Sequence, residues 1–118
     1  MYVMAEEPIP NNTASDVRNY FADKCTEQDL ADAYALTNNK FWWVEDNVYD
    51  FDEGTPEYEE ACAISDEWYT LMDEYEKRIF EVLTRKGILI PKTKRITVLA
   101  PFMKKYGYID ANGWWVKG

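Results

Sequence analysis

TPEYEEACAISDEWYTLMDEYEKRIFEVLTRKG, residues 55–87, is the stretch that decides the fold. Thr55 is a helix N-cap, Pro56 suits the first helical position, and Glu57, Glu59 and Glu60 fall in the positive first turn. At the other end Lys77, Arg78, Arg85 and Lys86 meet the negative pole, and Gly87 is the stop. These signals predict one helix over 56–86, about 45 Å long at 1.5 Å per residue. Tyr58, Ala61, Ser65, Trp68, Met72, Tyr75, Ile79 and Val82 alternate by threes and fours, and Cys62, Tyr69, Phe80 and Leu83 widen that apolar face. Acids recur on the opposite side: Glu59, Asp66 and Asp73 at seven-residue steps, with Glu60, Glu67, Glu74 and Glu81 beside them. The helix is read as the scaffold of the molecule. Its acidic ridge is either a solvated face opposite a core or a surface that meets a basic partner.

Outward from this helix, Thr26-Glu27-Gln28-Asp29 has the form of a capping box and starts an earlier helix. Leu30, Ala33, Tyr34, Thr37, Phe41 and Val44 give that helix its apolar spacing, and Asn38-Asn39 is the place for it to bend or stop. Thr13 or Ser15 caps a first, short helix with Val17, Tyr20, Phe21 and Cys25 on its apolar side. Residues 1–12, with Pro8, Pro10, Asn11 and Asn12, read as a flexible arm, and 45–56 as an acidic, aromatic connector. Beyond Gly87, Ile88–Pro91 reads as a short extended run and Lys92–Arg95 as a basic loop. Residues 96–106 hold a short helix that closes at Gly107. Tyr108–Asp110 and Trp114–Val116 flank an Asn-Gly turn and predict a terminal β-hairpin.

The fold expected is mainly α within an α+β class: a three-helix core with one long helix, and a small C-terminal helix plus β-hairpin as a cap. All 118 residues form one domain: arm 1–12, helical core 13–86, basic α/β cap 88–118. An apolar fraction of 47% sets the chain apart from disordered sequences.

Charge is divided along the chain. Residues 1–76 carry 20 Asp and Glu against Arg18, Lys24 and Lys40, a net of −17. Residues 77–118 carry ten Lys and Arg against Glu81 and Asp110, a net of +8, so the total of −9 hides the contrast. Part of it is dipole complementarity along the long helix; the basic tail folding against acidic helices accounts for more.

Reaction chemistry has few footholds. The chain holds no histidine, which removes Ser-His-Asp and Cys-His nucleophiles, HExxH zinc sites and imidazole proton shuttles. Cys25 and Cys62 lack CxxC spacing and fall in predicted helices, which favours free structural thiols and leaves a clamp between packed helices open. The five glycines stand apart, so no phosphate-cradling loop is present. With Gly54 at the sixth position of a calcium loop, Tyr49 and Phe51 would occupy ligand positions, which rejects an EF-hand; weak cation binding by 45–56 stays open. No enzymatic activity, cofactor or metal site is expected. The start MYVMAEEPIP carries acids where a secretory signal needs bases, and no apolar run spans a bilayer, so a cytoplasmic protein without a membrane partner is expected.

Two binding readings of opposite sign follow. In the first, Glu59, Glu60, Asp66, Glu67, Asp73 and Glu74, with Trp114 and Trp115, bind a protein partner. Neighbouring strand residues point to opposite faces, so one of the two tryptophans is left outside a single core. In its concrete form the chain is an acidic inhibitor of a host nucleic-acid-processing protein. In the second, Lys92, Lys94, Arg95, Lys104 and Lys105 surround a short helix and hairpin with a winged-helix layout and bind DNA directly, as a small regulator. A third class, a purely structural subunit, would form a stable oligomer and bind neither.

FWWVEDNVYD (41–50), SDEWYTLMDEYEKRIF (65–80) and PFMKKYGYIDANGWWVK (101–117) resemble segments of small uncharacterised accessory proteins carried on conjugative elements and prophages of gut Firmicutes. The resemblance implies an accessory role in a mobile element. It assigns no functional residue.

Overall fold

Each predicted cap is made by the residue that the sequence singles out. In the computed structural model, which describes residues 7, 9, 11–24, 26–88, 95–112 and 115 (for 95–98 the backbone only), four helices follow one another. Helix α1 spans Ala14–Tyr20, α2 Glu27–Val48, α3 Pro56–Arg85 and α4 Arg95–Lys105. Thr13 Oγ1 accepts the Asp16 N–H at 3.2 Å while Asp16 Oδ2 accepts the Thr13 N–H at 2.9 Å, a reciprocal capping box. Thr26 and Asp29 repeat it at 3.0 and 3.2 Å. Thr55 caps α3 by accepting the Tyr58 N–H at 3.2 Å, with Pro56 at the first helical position.

The chain is mainly α, with α2 and α3 packed along each other. The 30 residues of α3 run most of the 48 Å long axis. Yet α2 is the helix enclosed on all sides over residues 30–40, although Trp42 and Asp46 beyond them are exposed. Leu30, Ala31, Ala33, Tyr34, Ala35, Thr37, Asn39 and Lys40 are all buried, and together they go right round the helix. Ala31, Ala33 and Ala35 are at most 1% exposed, small enough for neighbouring elements to approach closely. The sequence reading put α3 at the centre because it is longest and best signposted; length and enclosure belong to different helices.

Four local expectations are corrected. Helix α2 runs unbroken through Asn38-Asn39, because burial of Asn39 and its neighbours outweighs weak helix propensity. It also takes in residues 45–48 of the supposed connector: Val48 is buried, and the Ser65 hydroxyl donates to Glu45 Oε2 at 2.6 Å. The link between α2 and α3 is therefore 49–55. In α1, Ala14, Val17 and Phe21 are buried, whereas Tyr20 is 61% exposed with the Lys24 ammonium 4.2 Å from its ring centre. Along α3 the buried set is Ser65, Trp68, Leu71, Met72, Tyr75, Ile79, Phe80 and Leu83; Tyr69, expected inside, is exposed.

Leu99, Phe102 and Met103 of α4, and Tyr108 just after it, join the core formed with α1–α3. The Tyr106 hydroxyl donates to Glu27 Oε1 at 3.0 Å, and the Tyr108 hydroxyl donates to Asp32 Oδ1, so this segment is tied to α2. Among the described residues no strand occurs; one antiparallel bridge joins Ile109 to Trp115. Cys25, Leu89–Lys94, Gly113, Trp114 and 116–118 lie outside the described residues, as does most of the arm, and so do the expectations placed on them.

Helices α3 and α4 end alike. The Ile88 N–H reaches Leu83 O and the Gly87 N–H reaches Thr84 O, both at 3.0 Å. Tyr108 to Met103 and Gly107 to Lys104 repeat the pattern at 3.1 Å. Both are Schellman endings that need a left-handed residue, and Gly87 and Gly107 have φ of +83° and +88°. A Cβ at Gly107 would meet nothing within 4 Å, so the cost of a side chain there is purely conformational. Gly107→Ala is expected to lower stability by about 1 kcal/mol in a urea titration, and Gly107→Asn by less. Equal stability for Gly107→Ala and the parent would contradict this account of the helix end.

Candidate functional site

The acidic ridge of α3 does not act as one surface. Asp73 is paired with Lys77 at 2.9 Å, and Glu74 with Arg18 of α1 at 3.0 Å. Both pairs are at least partly exposed and each contributes little to stability, but they neutralise the ridge at residues 73 and 74. Glu59, Glu60, Asp66 and Glu67 are exposed and belong to none of the ion pairs among the described residues. Of the six acids named from the sequence, four thus have no ion pair among the described residues, all on the N-terminal half of α3.

Beside them, between α3 and the C-terminal half of α2, is a groove of about 550 Å³. Trp43, Val44, Ala61, Ile64 and Trp68 give it apolar walls, Phe51 of the connector lines it too, and residues 11–14 border it from the start of α1. Glu57, Glu60 and Glu67 stand on its α3 side and Asp50 on its α2 side. Residues three and seven apart share one side of a helix, so these glutamates form a line. Ile64 and Phe51 are 40% and 44% exposed, large apolar side chains left to solvent beside carboxylates.

Lys40 also lines the groove and is 4% exposed. Its ammonium is paired with Glu7 of the N-terminal arm and stands 5.5 and 5.7 Å from the ring centres of Trp43 and Trp68. A lysine this deeply buried needs a counter-ion, because removing an ammonium from water costs several kcal/mol. The two indole faces add cation–π attraction. This arrangement joins residue 7 to residue 40, so one ion pair holds the arm against α2. Ile9, at φ +40°, packs against the core next to it.

A second aromatic group lies elsewhere on the α2–α3 pair. Phe41 meets Trp42 edge-on and Tyr69 at a tilt, with ring centres 5.1 and 5.3 Å away, and Trp42 and Tyr69 are each about half exposed. Of the tryptophans nominated from the sequence, Trp115 is half-buried with its ring 6.3 Å from that of Tyr108, and Trp114 is outside the described residues. Trp115 therefore belongs to the packing of the cap more than to the acidic face.

The basic residues of the cap are only partly placed. Lys92 and Lys94 lie outside the described residues, and Arg95 opens α4 with its side chain undescribed. Lys104 and Lys105 are exposed in the last turn of α4, the Lys105 ammonium 5.4 Å from the Tyr106 ring centre. Glu27 sits among these cations. It accepts hydrogen bonds from Lys86 at 2.7 Å and Tyr106 at 3.0 Å, and the Lys86 bond, aided by Tyr106 and the charge of Lys105, holds its carboxyl below the usual carboxylate range despite opposing burial. A carboxylate here lowers the pull of this surface on a polyanion.

Lys40, Ile64 and Phe51 were not singled out from the sequence, and Trp43 stood out only as half of a Trp42-Trp43 pair flanking an apolar stripe. One signal was available: Lys40 is one of only three bases in residues 1–76, and it falls within the apolar spacing of α2, next to Phe41-Trp42-Trp43. Among the described residues, no group of three or more Cys, Asp or Glu side chains is placed to hold a metal ion, and no helix is long and apolar enough to cross a membrane. Comparison of the chain with protein-family models, with curated proteins and with solved structures finds no match, so the candidate site rests on its own geometry.

Proposed function

We propose that this chain is a non-catalytic interaction protein that holds a basic protein partner on the N-terminal half of α3. In the mobile-element setting implied by the resemblance, that partner is a host nucleic-acid-processing protein and the chain is its acidic inhibitor. The observation that carries the reading is the set of four exposed acids, Glu59, Glu60, Asp66 and Glu67, with no ion pair among the described residues. Left unpaired, such a row repels itself modestly; a cationic surface converts that repulsion into attraction and speeds the encounter. Residues 88–118 are read as a helix-plus-hairpin cap, supported by the Ile109–Trp115 bridge, with a structural more than a DNA-reading role.

The test is charge reversal. Glu59→Lys, Glu60→Lys, Asp66→Lys and Glu67→Lys together exchange one sign of repulsion for the other on an exposed face and leave the core untouched. Capture of a basic protein from nuclease-treated host lysate is expected to fall by about tenfold or more, and the parent's capture to weaken with salt. Unchanged capture by the reversed variant would sink the reading. A duplex DNA titration at low salt supplies the opposite outcome: tight binding by the parent, lost with Lys104→Glu and Lys105→Glu, would establish the DNA-binding regulator instead.

A further inference from the structure

We infer that the groove between α2 and α3 receives the apolar side of a basic amphipathic helix from the partner, an inference that rests on the reading just given and assigns the contact that confers specificity. Three features select this occupant. The walls are apolar and include exposed Ile64 and Phe51, surface whose burial favours association. The glutamates beside them, 57, 60 and 67, recur at helical spacing over ten residues, about 15 Å. A partner helix lying alongside places Lys or Arg at its own third and seventh positions against them while its apolar side chains enter between Trp43 and Ile64. The charge of the walls excludes an anion: Lys40 is already paired with Glu7, and Asp50, Glu57, Glu60 and Glu67 remain. An extended basic peptide would meet the acids but has a two-residue side-chain repeat, which does not match their spacing.

The probe is a synthetic helix-forming peptide of Leu, Ala and Lys, about three to four turns long, with Leu at every third and fourth position. Its control has the same composition scrambled so that no apolar side forms. Fluorescence anisotropy at low salt is expected to show the patterned peptide binding about tenfold tighter or more than the scrambled one. Ile64→Glu is expected to abolish that preference. It adds a carboxylate, which by charge alone would strengthen binding to a basic peptide, so a loss can come only from the apolar contact. Ile64→Gln is the second variant, in case four neighbouring glutamates unsettle the helix, and thermal melting confirms that each is folded. Glu59→Lys with Asp66→Lys, outside the groove, is expected to reduce both peptides alike and to preserve their ratio.

Equal binding of the patterned and scrambled peptides, or a preference that survives both changes at Ile64, overturns the groove inference and leaves the acidic-face reading standing. No binding of the patterned peptide overturns it as well. Failure of the wider reading shows separately, as lysate capture unaffected by charge reversal. A dimer in light scattering that Ile64→Glu dissolves would give the groove to a second copy of the chain and overturn the inference in that way.

Discussion

Trp68→Ala is expected to lower the unfolding free energy by about 3–5 kcal/mol, among the largest effects of any single substitution in this chain. Trp68 is 1% exposed on the buried side of α3, where that helix meets the enclosed α2. Truncation removes the transfer free energy of an indole and leaves a void that two long, mutually constrained helices cannot close. A further cost comes from Lys40, whose ammonium lies 5.7 Å from the Trp68 ring centre and is only 4% exposed. Without the indole, that charge loses one of its two aromatic faces, and water gains a path to its pairing with Glu7. A domain of this size has roughly 5–15 kcal/mol of stability, so the substitution consumes a large fraction of it. Urea unfolding followed by far-ultraviolet circular dichroism measures the loss. Trp68→Phe, which keeps an aromatic face, is expected to lose distinctly less. A Trp68→Ala loss below about 1.5 kcal/mol would show that the seam between α2 and α3 is looser than the structure has it.

The same region shows what sequence could and could not reveal. Helix starts were legible because a cap is a local device: Thr26 with Asp29, and Thr55 with Pro56, act within four residues of themselves. The left-handed ends at Gly87 and Gly107 were legible for the same reason. The apolar stripe of α3 was read from its period, with Leu71 missed and Tyr69 wrongly placed inside. What local signals do not hold is the angular position of neighbours. Asn39 and Thr37 look like weak points of a helix until packing buries them, and Thr37 then satisfies its hydroxyl on the Ala33 and Tyr34 carbonyls at 2.8 and 3.1 Å. The acidic ridge was visible as a repeat, but its division was not. Arg18 neutralises Glu74 from 56 residues away, a pairing set by the docking of α1 and not by the spacing of acids. Lys40 was hidden most completely, because its counter-ion comes from the arm, 33 residues earlier.

The second large effect is expected in alkali, where stability should fall steeply above about pH 10. Tyr34 and Tyr108 have phenols pushed well above their ordinary range, chiefly by burial. For Tyr34 the nearby charge of Glu76 adds to this, and for Tyr108 the hydrogen bond it donates to Asp32. Tyr106 moves the same way, by burial and then by its bond to Glu27. In each case the folded protein holds the proton more tightly than the unfolded chain does. Below about pH 10 both states keep it and the stabilisation is fully present. Above that pH the unfolded chain releases protons that the folded state retains, and stability falls with a slope set by the difference in bound protons. Each phenol that keeps its proton in the folded state adds to that slope, so these tyrosines act together. Urea titrations between pH 8 and pH 11.5 should show the decline, and the protein carrying Tyr34→Phe and Tyr108→Phe should show a shallower one. At neutral pH Tyr108→Phe alone is expected to cost about 1 kcal/mol, because Asp32 keeps the Gln28 amide as a donor at 2.8 Å. The lysines are common to both proteins, so the difference between the two alkaline slopes belongs to the phenols. Identical slopes would mean that these hydroxyls reach water in the folded state, and that the segment carrying Tyr106 and Tyr108 is not seated on α2 as the bonds to Glu27 and Asp32 place it.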